Sequence, residues 1–166
     1  MAEKDGAAIG AGAPPGDSGA PQQLIVNAQY VKDFSFENPR APHSLMQQKE
    51  PPEVQLGVDV KAQALGQDIY EVLLTVNAKA ASGGETVFVA ELSYAAVVTV
   101  RNTPQEMLAL MLLVETPRLL FPFARSVIAN ATREGGFPPL LLHPVDFAEL
   151  LRRQQAAAQT GAIATA

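Results

Sequence analysis

Apolar and polar residues alternate with period two over four stretches of the chain, the first of them beginning at Leu24. Side chains of an extended backbone point to opposite faces in turn, so each stretch predicts a strand with one buried face. LIVNAQYVKDFSFEN, from Leu24 to Asn38, places Tyr30, Phe34 and Phe36 on one face and Val31, Asp33, Ser35 and Glu37 on the other. VQLGVDVKAQ groups Val54, Leu56, Val58 and Val60, and IYEVLLTVNAKA groups Tyr70, Val72, Leu74, Val76 and Ala78. ETVFVAELSY points Phe88, Ala90, Leu92 and Tyr94 inward and Glu85, Val87, Val89 and Glu91 outward. The ASGG before it reads as a hairpin turn. One apolar and one mixed face predict an α+β fold, a four-stranded antiparallel sheet with helices packed on one side.

After the fourth strand the period changes. Thr103-Pro104-Gln105-Glu106 has the form of a capping box with proline at the first helical position, predicting a helix from Pro104 to about Glu115 that Pro117 ends. Its middle, MLALMLLV, is apolar all the way round, which a lone surface helix is not. A small sheet and a few helices cannot enclose such a rod, so a second copy of the chain is expected to cover part of it, the alternative being a helix simply buried within its own domain. RLLFPFARSVIANATREGG predicts another helix from near Pro122, capped by Gly135 or Gly136, with Arg118, Arg125 and Arg133 along it as a solvated face. GFPPLLLHPV must be extended, because its prolines forbid helix. Asp146, with Glu149 three residues on, opens a last helix, FAELLRRQQAAAQ. Between the first two strands, NPRAPHSLMQQKEPPE carries prolines at 39, 42, 51 and 52 and predicts a long crossover loop without helix or strand.

Composition narrows the possibilities. A length of 166 residues suits one domain. Residues 1–23, rich in Ala, Gly and Pro, are expected to be a disordered tail; 24–153 form the domain; 154–166 are a fraying helical end and flexible tail. With 12 Lys and Arg against 17 Asp and Glu, the chain lacks the basic footprint of a nucleic-acid binder and suits a basic partner surface. The absence of cysteine excludes disulfides, thiolate chemistry and Cys-based zinc sites, and makes the cytoplasm the default compartment. The N-terminus has no secretory h-region, and MLALMLLV is far shorter than the roughly 20 residues of a spanning helix, so no membrane insertion is expected.

The candidate chemistry is equally thin. Asp33 and Glu37 are on the order of 13 Å apart on an extended strand, too far to share a proton, and no cleft or partner accompanies them. His43 and His143 each adjoin a proline with no clustered third ligand, and no phosphate-binding loop exists. No catalytic residue, metal or cofactor is expected. The outward carboxylates either solubilise the sheet or dock a basic partner.

Six blocks of the chain, in order, resemble the SecB protein-export chaperone family: YVKDFSFENPRAP, PEVQLGVDV, YEVLLTV, ETVFVAEL, LLFPFARSVI and GFPPLLLHPVDFAELL. The resemblance implies a dimer of dimers built from this sheet-and-helix subunit. It also implies a chaperone that needs no ATP and is not an enzyme, one that keeps unfolded precursors translocation-competent in the cytoplasm and passes them to SecA. The acidic surface that docks SecA in the family maps to Asp33, Glu37, Val89 and Glu91. Candidates for the client-binding groove are Leu45, Met46, Phe88 and Phe137, each of which could equally belong to the core. The tryptophan often found just before the family's Pro-Glu-Val is absent, with Glu50 and Pro51 in its region. Met107, Leu110, Met111 and Val114 are the expected oligomer contacts. A SecB-like chaperone dedicated to one client, such as an antitoxin, is the alternative reading.

Overall fold

The computed structural model of the chain describes residues 19–46 and 50–163, so most of the segment expected to be a disordered tail lies outside the described residues. Strands β1 (Gln23–Glu37), β2 (Glu53–Gly66), β3 (Ile69–Ser82) and β4 (Glu85–Arg101) form one antiparallel sheet in the order β1-β4-β3-β2. β2, β3 and β4 are consecutive hairpins. β1 reaches its place beside β4 through the crossover that precedes β2. Gly83 and Gly84, at φ +58° and +80°, make the β3–β4 turn that ASGG predicts.

The crossover is more ordered than its prolines suggest, since His43–Met46 form a single helical turn, α1. Pro42 immediately precedes it, where a missing N–H costs nothing.

Two bulges correct the expected pattern in β1. The register with β4 shifts between Val26 and Ala28 and again between Val31 and Asp33. Each bulge inserts one unpaired residue and exchanges the faces of whatever follows. Phe34 and Phe36 therefore lie opposite Leu92 and Ala90 on the inner face, whereas Tyr30 lies opposite Ala95 on the outer one. Val31 pairs with Tyr94 and faces inward, not outward with Asp33. A shift between Ala80 and Ala81 likewise leaves Val87, expected to be exposed, only 3% exposed among Ala80, Phe88 and Phe137.

The expected break at Pro117 does not occur. Helix α2 (Gln105–Leu110), a π-helical turn (Met111–Glu115) and α3 (Thr116–Glu134) follow one another as a single rod. At the junction the Thr116 backbone N–H and hydroxyl both donate to the Met111 carbonyl, the hydroxyl at 2.8 Å, and Pro117 falls in the first turn of α3, where it is tolerated. The anticipated capping box also fails to form, since the Thr103 hydroxyl donates to Arg101 O. α4 (Phe147–Ile163) starts as predicted, with Asp146 Oδ1 accepting from the Glu149 amide at 3.0 Å.

Leu74, Val76, Leu92, Val98, Leu112, Val114, Leu120, Ile128 and Phe147 are among the buried residues of one core between sheet and helices. Full burial of such side chains stabilises by roughly 1.5–3 kcal/mol each. The 30-residue rod, Gln105–Glu134, contains an 18-residue window with a mean hydropathy of 1.6 and is long and apolar enough to cross a membrane by length and composition. The sequence expectation missed this because it divided the rod at Pro117. In the fold its buried side chains belong to the domain's own core.

Candidate functional site

The inner face of the β1–β4 pair ends in an aromatic cluster. Phe36 stacks on Phe88 with ring centroids 5.8 Å apart, and Phe88 meets Phe137 at 5.1 Å. Such pairs add about 0.5–1.5 kcal/mol each beyond area burial. Beside them opens a cleft of about 450 Å³ whose walls include Pro51, Pro52 and Val54 on one side and Phe137, Leu140 and Leu141 on the other. Its lining is mostly apolar carbon with few polar atoms, suited to side chains of varied shape.

Of the residues predicted for the groove, Phe88 and Phe137 line this cleft although they are 3% and 6% exposed; they belong to the buried core and border the cleft at once. Leu45 and Met46 do not line it. They sit in α1, exposed, with the Leu45 methyls against Gly136. Pro51, Pro52, Val54, Leu140 and Leu141 were missed. Two Pro-Pro pairs flanking apolar runs were the available signal, because a proline pair makes a wall that neither helix nor strand can consume.

The segment that carries Phe137 is fixed from behind. Thr132, fully buried, donates its hydroxyl to Ile128 O and accepts from the Leu140 amide at 2.9 Å. Phe137 N–H donates to Thr132 O.

On the opposite face of the same strands, Glu37 lies across from Val89, Ser35 from Glu91, and Asp33 from Ser93. The four residues predicted for partner docking thus share the outer face. Asp33, Glu37 and Glu91 are exposed, and among the described residues none of them is in a salt bridge. A shallow depression beside Val89 and Glu91 is also lined by Asn77 and Lys79.

Further along that face, Glu71 of β3 is a node that sequence reading did not find. Its carboxylate accepts from Tyr30 at 2.6 Å, Lys32 at 2.8 Å and Gln63 at 2.6 Å. The bulges turn Tyr30 outward, and its side chain with that of Lys32 crosses β4 to reach β3. Donation by Lys32, then by Tyr30, holds the Glu71 carboxyl below the ordinary glutamate range against the opposing effect of burial. The same bond to Glu71 raises the Tyr30 phenol.

For the oligomer candidates, Met107, Leu110 and Met111 are partly exposed on the rod, but Val114 is 1% exposed and packs into its own core. Val114 therefore cannot be a contact with another chain. Leu119 and Phe123, 50% and 48% exposed, extend the open apolar face of the rod instead.

Comparison with known proteins bears on these surfaces. The family model described as preprotein translocase subunit SecB matches residues 17–158. Protein-export protein SecB of Bradyrhizobium sp. is 53% identical over 90% of this chain and 94% of its own length, and that of Maricaulis maris is 54% identical over 86% and 84%. Among solved structures, a SecB-like chaperone of Mycobacterium tuberculosis in complex with a peptide from the HigA1 antitoxin superposes with a TM-score of 0.62 at 16% identity, covering 74% of this chain and 90% of that one. That structure shares the fold. A four-stranded sheet of this order, the aromatic cleft and a family match over most of the chain lead to one conclusion: the chain belongs to the SecB family.

Proposed function

We propose that the protein is an ATP-independent export chaperone, which binds unfolded precursors in its apolar cleft, keeps them translocation-competent and delivers them to SecA. The observation that carries this reading is the division of labour across β1 and β4: an aromatic, proline-walled cleft on one face and unpaired carboxylates on the other. An apolar groove with few hydrogen-bonding groups selects for unfolded chain over any particular sequence. Asp33, Glu37 and Glu91 with Val89 form the docking patch for a basic segment of SecA, steered by charge and screened by salt.

The working unit is a homotetramer, a dimer of dimers. The partly exposed Met107, Leu110, Met111, Leu119 and Phe123 on one rod support it, since an apolar helix face of that length calls for a partner. The site of action is the cytoplasm, with no direct membrane insertion and no nucleic acid. The alternative, a chaperone dedicated to an antitoxin, is not favoured: relatives above 50% identity carry the export name, while the antitoxin complex shares the fold at 16% identity.

Light scattering of the protein alone, with an unfolded precursor, and with SecA tests the reading. A tetramer that takes up precursor and then SecA supports it; a monomer that takes up neither contradicts it.

A further inference from the structure

The crossover and the turn after α3 meet at one side chain. Asn38 Nδ2 donates to Gly135 O at 3.1 Å, and Asn38 Oδ1 accepts from the Ser44 hydroxyl at 3.0 Å. Ser44 is 8% exposed and lies in α1, whose amides at Ser44 and Leu45 donate to Arg40 O and Pro42 O. Among the described residues, Asn38 is the one side chain that hydrogen-bonds both segments. Two apolar contacts flank it. A methyl group at Gly135 would stand 2.5 Å from the Phe36 ring, and one at Gly136 would stand 3.1 Å from the Leu45 methyls. The two glycines thus form a flat seat on which the end of β1 and the helical turn of the crossover both rest.

Both walls of the cleft follow this seat closely along the chain. Downstream of α1 the chain returns as Glu50–Pro52, one wall; downstream of Gly136 it continues as Phe137–Leu141, the other. The second wall has its own anchor in Thr132. The first wall leads into β2, where Glu53 and Val54 pair with Ala81 and Ala80 of β3. Upstream of it, the described polar ties of the crossover are Asn38 and an exposed ion pair between Arg40 and Glu85, and exposed ion pairs contribute little.

We infer that Asn38 is a positioning residue for client binding, a latch that holds the crossover against the Gly135–Gly136 turn and so sets the width of the cleft. The inference rests on the chaperone reading for its function, but the latch is a statement about the fold. With the latch made, the Pro51–Pro52 wall is preorganised and the client does not have to order it. With it broken, α1 loses its side-chain tie to the end of β1 and to the Gly135 turn, and the Glu50–Pro52 wall is held from its β2 side alone.

The experiment uses the full chain and compares Asn38→Ala, Asn38→Asp and Ser44→Ala with the parent by hydrogen exchange, and by titration with a reduced, carboxymethylated protein as unfolded probe. Asn38→Ala is expected to speed exchange of the Ser44 and Leu45 amides by about tenfold, leave the Thr132-bound Leu140 amide unchanged, and weaken probe binding by about threefold to tenfold. Asn38→Asp keeps the acceptor for Ser44 but cannot donate to Gly135, and matches or exceeds the alanine variant. Ser44→Ala retains the Gly135 bond and gives a smaller rise confined to α1, which keeps the question decidable if Asn38→Ala does not fold. Unchanged exchange in α1, or an equal rise at Leu140, overturns the latch. A parent protein that does not bind the probe overturns the chaperone reading, and the exchange pattern still judges the latch.

Discussion

Phe36 stacks on Phe88 across β1 and β4 with ring planes 27° apart, while their chain neighbours Glu37 and Val89 face each other on the other side of the sheet. Two residues in succession on each strand thus serve two surfaces. Because the pleat separates those surfaces, they can be changed independently.

That independence predicts the effect of Asp33→Ala with Glu37→Ala. The pair is expected to weaken SecA binding roughly tenfold at low salt and less at high salt, while binding of an unfolded probe is retained. Titration calorimetry with each ligand at two ionic strengths checks it. Equal loss of both would mean that the outer carboxylates support the fold and not a partner.

Glu71 makes stability depend on pH with a definite sign. Its carboxyl is held low in the folded chain, so its contribution is fully present above the ordinary glutamate value of about 4.3 and is lost as pH falls through the lower folded value. Glu71→Ala leaves Tyr30 and Gln63 without their acceptor and is expected to cost about 1–3 kcal/mol near neutrality. Urea melts of both proteins should show the gap narrowing in that acidic window. A gap that does not narrow as pH falls below the ordinary glutamate value would remove the carboxylate from the account.

Gly135→Ala drives a methyl into the Phe36 ring, and the ring cannot retreat without leaving Phe88. Overpacking of this kind costs about 1–3 kcal/mol. The variant should unfold at lower denaturant and bind the unfolded probe more weakly. Parent-like stability would show that the seat has room to relax.

Thr116→Val removes the hydroxyl that donates to Met111 O while keeping the shape of a buried side chain. The expected loss is about 1 kcal/mol, with faster hydrogen exchange through the π turn. An unchanged melt would assign the continuity of the rod to packing alone.

Much of this architecture is legible in the sequence where one periodicity persists. β3 and β4 alternate without interruption from Val72 to Ala80 and from Phe88 to Val100, and their inward residues were identifiable because every second position is apolar. β1 departs from the simple alternation at Tyr30 and Val31 because a bulge leaves no mark in composition: the inserted Asn27 and Lys32 look like ordinary polar positions. Pro117 misled for a related reason. Proline is tolerated in the first turn of a helix, and the π turn that joins α2 to α3 here, with Thr116 bonded to Met111 O, is announced by no short-range pattern. At the cleft, Phe88 and Phe137 are legible as candidates by type and position, whereas Val54 comes to face Leu140 and Leu141 only through a contact between distant parts of the chain.

The central claim is tested most directly by the refolding rate of a denatured precursor diluted into a several-fold excess of this protein without nucleotide. Refolding is expected to slow or stop and to resume when the precursor is displaced; a rate equal to that of the precursor alone would contradict the claim.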